Sequence, residues 1–224
     1  MVSLSQHPRL GCIGTINFLA HLYLGGESAE ALFGALLGDF AKGPITSQWS
    51  ETISAGITLH RRVDRFTDAH PMWLRSRARF PPRLRRFAGI TVDVVYDHFL
   101  ARSWSHFHPQ PLAQFAQHAY AQVAEFKAQF PPRLTRMFPF MTSEDWLYGY
   151  REIEVVERAL ARMSTRSLRL APLAETGDEL RPIYTELAAD FHAFFPDLVG
   201  FVARYQAHGV GTCLAVSSER VKCS

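Results

Sequence analysis

Apolar positions recur along this chain at intervals of three and four residues, the spacing of one face of an α-helix. The segment that organises the pattern runs from about Trp49 to Ala69, with Pro71 as its stop signal. Ile53 and Ile57 lie on its apolar stripe, and His60, Asp64 and Asp68 follow at i, i+4 and i+8. An imidazole and two carboxylates therefore share the face that a globular protein normally buries. Upstream, Thr15 caps a helix in which Asn17, His21 and Leu24 share a stripe and Gly25-Gly26 is the stop. Ser28 caps the next, where Leu32, Leu36 and Asp39 follow at i, i+4 and i+7 before Gly43-Pro44. Downstream, a helix from near Ile90 sets Asp93, Asp97 and Ala101 on one stripe, flanked by Val94, His98 and Leu100. An amphipathic helix is expected over Leu112 to Phe130, ended by Pro131-Pro132. Thr142 or Ser143 caps another, with Glu144 and Asp145 at its positive end and Trp146, Tyr150, Ile153 and Leu160 as core stripe. Glu179 to Tyr205, interrupted around Pro196, supplies the last helical material. Residues 1–14 read as an irregular extension and residues 206–224 as a tail expected to fray. No Gly-rich turn joins a strand to a helix and no repeat period is visible. The pattern predicts an all-α, single-domain helical bundle.

Composition narrows the class. A chain of 224 residues can enclose one full core, and 47% hydrophobic with 20% charged residues describes a soluble globular protein. A net charge of +3 is too small to imply nucleic-acid binding. Cys12, Cys213 and Cys223 suggest neither a disulfide framework nor a thiolate zinc site, and a reducing cytoplasm fits them best. Asn17 and His21 interrupt the apolar stretch Leu10 to Leu24, which therefore does not read as a signal-peptide core. No run of about 18 apolar residues occurs, so no membrane span is expected. Charge distribution says more than the total. Arg75, Arg77, Arg79, Arg83, Arg85 and Arg86 crowd a segment with no acid from Ala69 to Val92, interleaved with Phe80 and Phe87. Such a surface steers an acidic partner.

Buried carboxylates need a cationic neighbour, a proton or a metal ion. Four helices place ligand-type groups on or near apolar stripes: Asn17 and His21; Asp39; His60, Asp64 and Asp68; Asp93, Asp97 and His98. Facing helices that project imidazole and carboxylate inward are one way to build a metal site. Such mixed ligands favour Mn²⁺, Fe²⁺ or Mg²⁺ over structural zinc. A metal of this kind supplies hydroxide at neutral pH and holds a phosphoryl oxygen, which suits phosphoester hydrolysis. The competing account pairs the acids with Arg61, Arg62, Arg65 and Arg102 as ion-pair networks, and Asp68, near a helix end, can simply be solvated.

Four stretches also carry a resemblance: Asn17-Phe18-Leu19-Ala20-His21-Leu22; Leu37-Gly38-Asp39-Phe40; His60-Arg61-Arg62-Val63-Asp64 with Thr67-Asp68; and Val92-Asp93-Val94-Val95-Tyr96-Asp97-His98-Phe99-Leu100. In this order and spacing they resemble the acyl carrier protein phosphodiesterase family, from about Thr15 to Tyr205. The resemblance implies an HD-like helical fold, a divalent metal, typically Mn²⁺, and hydrolysis of holo-acyl carrier protein to the apo form and 4'-phosphopantetheine. It matches Asp39 to the family's essential aspartate and His21, His60, Asp64 and Asp97 to its other polar motif positions. The expected metal ligands are thus His21, Asp39, His60, Asp64 and Asp97. Catalytic roles fall to Asp39, His60, Asp64 and His98, with Asp93 and His98 as supporting or general-acid groups. The acidic carrier is expected to dock on Arg75 to Arg86. The alternatives are an HD-like phosphohydrolase acting on a nucleotide or other small phosphoester, and a non-catalytic carrier-binding or metal-binding protein.

Overall fold

The computed structural model describes residues 17–208. Along them run α1 (Phe18–Gly25), α2 (Ala29–Leu37), α3 (Glu51–Ala69), α4 (Pro71–Ala78), α5 (Arg85–Arg102), α6 (Trp104–Phe107), α7 (Leu112–Ala124), α8 (Pro132–Ser143), α9 (Trp146–Gly149), α10 (Ile153–Ser164), α11 (Leu173–Asp178) and α12 (Tyr184–Ala207). Three single 3₁₀ turns join them, and no strand occurs among the described residues. The all-α expectation holds, and one continuous hydrophobic core serves every long helix. None of the described helices is long and apolar enough to cross a membrane. The expected Thr15 cap, the reading of residues 1–14 and most of the 206–224 tail lie outside the described residues; at the tail's start Gln206 and Ala207 are still the last turn of α12 rather than frayed.

Serine caps start α2 and α3, where Ser28 Oγ accepts from the Ala31 amide and Ser50 Oγ from that of Ile53, each at 3.2 Å. Gly26, with φ of 104°, ends α1 as its sequence predicts. Prolines punctuate the helices: α3 stops at Ala69 ahead of Pro71, as expected, whereas α12 runs through Pro196 without the expected interruption. Pro71 starts α4 as its first residue, where no amide is needed, and the His70 ring caps that helix by accepting from Met72 N. Pro139 and Pro196 sit inside α8 and α12. A proline in a helix interior costs about 3 kcal/mol. In α12 the burial of Phe191, Phe194, Phe195 and Leu198 on both sides of Pro196 offsets it. Thr142 and Ser143 close α8 rather than open a helix, the left-handed Asp145 (φ 44°) separates α8 from α9, and the break at residues 150–152 splits the expected stripe between α9 and α10. Likewise α7 stops at Ala124, and α5 starts five residues before Ile90, so Arg85 and Arg86 form its first turn.

Helix α5 is the axis of the molecule. Every residue from Thr91 to Ala101 is buried, and α1, α4, α10, α11 and α12 surround it. A helix enclosed on all sides must pair its polar groups internally. Thr91 donates to Thr176 of α11 at 2.7 Å, and Asp93 accepts from Trp73 Nε1 of α4 at 2.9 Å. Asp97 accepts from the amides of Leu19 and Ala20 at the start of α1, at 2.8 and 2.9 Å. The ring nitrogens of His98 meet the Tyr150 carbonyl and the Tyr184 hydroxyl, both at 2.7 Å. Four polar side chains thus tie the central helix to its neighbours.

A second buried tie joins α12 to α4. Asp190, fully buried, accepts from Arg75 Nε (2.7 Å), from Ser76 Oγ (2.9 Å) and from Arg79 through Nε and Nη2 (2.7 and 3.0 Å). Burial would raise the Asp190 carboxyl, but the bonds from Arg79, Arg75 and Ser76 outweigh it and hold it below the usual aspartate range. Its stabilising contribution is therefore full above that range and drains away as pH falls through the lowered native value. In urea denaturation at neutral pH, Arg79→Ala should lose about 2 kcal/mol, since half the partners of a buried charge go. Asp190→Asn should flatten the acid limb of the stability profile; an acid limb as steep as that of the wild type would contradict this account.

Candidate metal centre

Three glycines determine how closely α2 and α3 approach. A Cβ on Gly34 would come within 2.5 Å of the Ile53 carbonyl, and one on Gly56 within 2.9 Å of Gly34 Cα. One turn further on, Gly38 faces His60, and a Cβ there would overlap the imidazole. The spacing of four on both helices carries the close contact from glycine against glycine to glycine against imidazole. His60 is thereby laid flat on the end of α2. Its Nδ1 donates to the carbonyl of Ala35 at 2.7 Å, one of the last four carbonyls of that helix. Nε2 is left facing the other way.

There it meets Asp64 Oδ2 at 3.4 Å and Asp39 Oδ1 at 3.8 Å. Asp39 reaches it from the turn after α2, where the backbone tightens through Asp39 N to Leu36 O. His21 comes from α1, its ring stacked on that of His60 with centroids 3.6 Å apart and its Nε2 3.1 Å from Asp64 Oδ1. Asp97 acts one step removed, because the two amides that it holds begin the helix carrying His21. The side chains of His21, His60 and Asp39 are at most 4% exposed, whereas that of Asp64 is 38% exposed. Asp64 is the open side of the cluster.

Electrostatics follow from this enclosure. Burial pulls His21 down to about 4, helped by the His60 charge and opposed by Asp64. Burial also pulls on His60, but the bond to Asp64, the charges of Asp39 and Asp64 and the Ala35 carbonyl outweigh it and raise that ring. Two imidazoles in face contact do not both ionise, and here the one beside two acids keeps the proton. Asp39 is pushed up to about 6 by burial, with Asp64 adding and His60, Arg133 and Lys42 opposing. Asp64 is driven well below the carboxylate range, since its bonds to His21 and His60 overcome its burial.

The group fits a divalent cation. One ligand atom each from His21, His60 and Asp64 lies within 4.8 Å of the others. His21 Nε2 is buried facing Asp64 Oδ1, and the proton fixed on His60 Nδ1 leaves Nε2 as the ligating nitrogen of the neutral ring. Of the expected ligands, His21, His60 and Asp64 come together and Asp39 borders them through His60. Asp97 points to α1 instead. Asp93 and His98 serve α5 as described, with burial raising the first and lowering the second. Asp68 is exposed at its helix end. The ion-pair account does not hold: Arg61 donates to the Ala41 carbonyl at 2.8 Å, Arg62 lies over the Tyr205 ring, Arg102 donates to Tyr184, and among the described residues neither they nor Arg65 pair with Asp64 or Asp68. Gly38 lay inside a quoted motif, and its four-residue spacing from Gly34, matched by Gly56 and His60, was the signal for its role.

An all-α protein whose buried imidazoles and carboxylates converge on a cation-sized site is of the kind that supports metal-assisted hydrolysis. Sequence comparison specifies the family. The acyl carrier protein phosphodiesterase family model matches residues 16–198. Proteins named acyl carrier protein phosphodiesterase from an Enterobacter species and from Serratia proteamaculans are each 38% identical over 185 residues, 82% of this chain and 96% of theirs. One of the same name from Salmonella paratyphi A is 37% identical over 190 residues, 84% of this chain and 98% of its own. No solved structure matches. The chain belongs to the acyl carrier protein phosphodiesterase family, and with it to the phosphoric diester hydrolases.

Two substitutions test the geometry. Gly38→Ala should cost about 1–3 kcal/mol through overpacking against His60, and the rise in melting temperature expected when Mn²⁺ is added to the wild type should be absent in the variant. Gly177→Ala, with open space around its Cβ, should behave as the wild type. Asp97→Ala should lower stability by about 2–4 kcal/mol in urea, because two buried amides lose their acceptor. A variant as stable as the wild type would show that α1 is held by other means.

Proposed function

We propose that this protein hydrolyses the phosphodiester that joins 4'-phosphopantetheine to the serine of holo-acyl carrier protein, releasing the arm and leaving the apo carrier. The observation that carries the reading is the convergence of His21, His60 and Asp64, with Asp39 beside them, in a chain 37–38% identical to proteins named for that reaction. His21, His60 and Asp64 would hold the ion, with Mn²⁺ first and Mg²⁺ or Fe²⁺ as the other metals that this donor set accepts. When bound, such an ion supplies Lewis-acid polarisation of a phosphoryl oxygen and a lowered pKa for the attacking water.

The remaining steps belong to the chain. Asp39 and Asp64 supply the negative charge that a buried cation needs. The Ala35 carbonyl holds His60 in one tautomer and orientation, and Asp97 places His21 through α1. The exposed edge of Asp64 is the side from which a phosphodiester on a protein surface can reach the cluster. Asp93 and His98 are assigned to holding α5 in place, since their bonds are spent on Trp73, Tyr150 and Tyr184.

The test is the intact mass of a holo-acyl carrier protein incubated with this protein and Mn²⁺. The mass of phosphopantetheine should be lost, and should be retained both with a chelator and with Asp39→Ala. A folded, metal-loaded protein that leaves the carrier's mass unchanged would overturn the reading.

A further inference from the structure

The arginines that crowd together in sequence are largely spent in space. Arg75 and Arg79 neutralise Asp190, and Arg83 pairs with Glu175 and Glu179 at 2.8 and 3.3 Å. Arg77 donates to the Arg85 carbonyl and lies over the Trp73 ring. A different basic surface lies on α8 and α10. On α8, Arg133, Arg136 and Phe140 follow at i, i+3 and i+7; on α10, Arg158 and Arg162 follow at i and i+4, and Arg166 comes from the turn that closes it. The two stripes line adjoining clefts of about 640 and 440 Å³ that share Trp146, Arg162 and Arg166.

Acids near these arginines in sequence are turned elsewhere. Glu154 and Glu157 pair with Arg181 across α10, and Glu144, the acid that lines the clefts, is bound by Arg162 and Trp146. Among the described residues Arg133, Arg136, Arg158 and Arg166 form no ion pair, although the Arg158 charge acts on Glu144 and Glu154 at longer range. Burial and the neighbouring Arg133 charge pull Arg166 down, the mark of cations crowded without an acid. Phe140, 59% exposed, adds a large apolar side chain amid the charges. The groove also reaches the metal centre: Arg133 lies over the ring of Phe40, next to Asp39 in the chain, and its charge acts on the Asp39 carboxyl.

We propose that this groove between α8 and α10, rather than the Arg75 to Arg86 segment, receives the protein part of the substrate, an acidic protein whose docking face sets carboxylates around an apolar side chain. Carboxylates would meet Arg136, Arg158 and Arg166 while the apolar side chain covers Phe140, and the arm on the partner's serine would then lie beside Phe40 and Asp39. Charge complementarity selects the occupant, since Arg133, Arg136 and Arg166, which form no ion pair, line one cleft with the exposed Phe140 ring, a lining that favours an acidic partner over a neutral or basic one. The inference rests on the reading of the substrate as a carrier protein.

Its test reads binding, not turnover. Fluorescence anisotropy with labelled apo-acyl carrier protein, which lacks the scissile diester, gives an affinity for the full-length protein at low ionic strength. Arg136→Glu/Arg166→Glu should weaken it by about tenfold or more. Arg136→Lys/Arg166→Lys, which keeps the charge, should retain most of the affinity, and circular dichroism should show both variants folded. Arg85→Glu/Arg86→Glu should change the affinity by less than about twofold. A loss confined to the Arg85/Arg86 variant, no loss in either, or wild-type binding to a short single-stranded RNA but not to the apo carrier would overturn the proposal. The two readings fail separately. Wild-type protein that binds the apo carrier through this groove yet leaves the holo carrier intact would refute the hydrolase reading alone, whereas cleavage with an affinity indifferent to Arg136 and Arg166 would refute the groove alone.

Discussion

From Thr91 to Ala101 helix α5 is enclosed on every side, so each polar group in that stretch must find its partner inside the protein. That constraint arranges the molecule. Thr91, Asp93, Asp97 and His98 bind α11, α4, the start of α1 and the chain around Tyr150 and Tyr184. The bond with the widest consequence is that of Asp97. By accepting two amides at the N-terminus of α1 it does for that helix what a capping side chain does locally, and it sets the position of His21. A residue outside the metal cluster thus controls the geometry within it.

The other half of the cluster depends on an absence of side-chain bulk. Gly34, Gly56 and Gly38 let α2 and α3 approach until an imidazole fits flat against backbone. From that contact follow the single tautomer of His60, its stacking on His21 and the convergence of two carboxylates on its Nε2. Of these side chains only Asp64 meets solvent to any extent, and a divalent cation held by His21, His60 and Asp64 would draw on the same atoms that this packing brings together.

Charge near the site shows how far sequence neighbours can mislead. The segment from Arg75 to Arg86 contains no acid, yet the buried Asp190 meets it from more than a hundred residues away and ties up two of its arginines in ion pairs. The stretch from Arg133 to Arg166 includes several acids, yet helical periodicity and Arg181 direct Glu154 and Glu157 to another face. Net charge along a chain and net charge on a surface are different quantities, because a helix distributes consecutive residues around its axis.

The sequence by itself determined the helical class, the Ser28 cap of α2, and the residues that converge in the candidate metal centre. Periodicity and capping are local, acting within one or two turns, and a carboxylate on an apolar stripe is conspicuous wherever it falls. His21, Asp39, His60 and Asp64 were legible for that reason. Only the tertiary structure decided that Asp97 binds backbone rather than joining them, that His98 is held by two tyrosines, and that Pro71 opens a helix while Pro139 and Pro196 lie within theirs. Each of these depends on what packs against the residue, and the partners are set by the long-range fold. A buried polar group states in the sequence that it needs a partner; which partner it finds, a backbone amide, a distant arginine or a metal ion, is settled only when the helices meet.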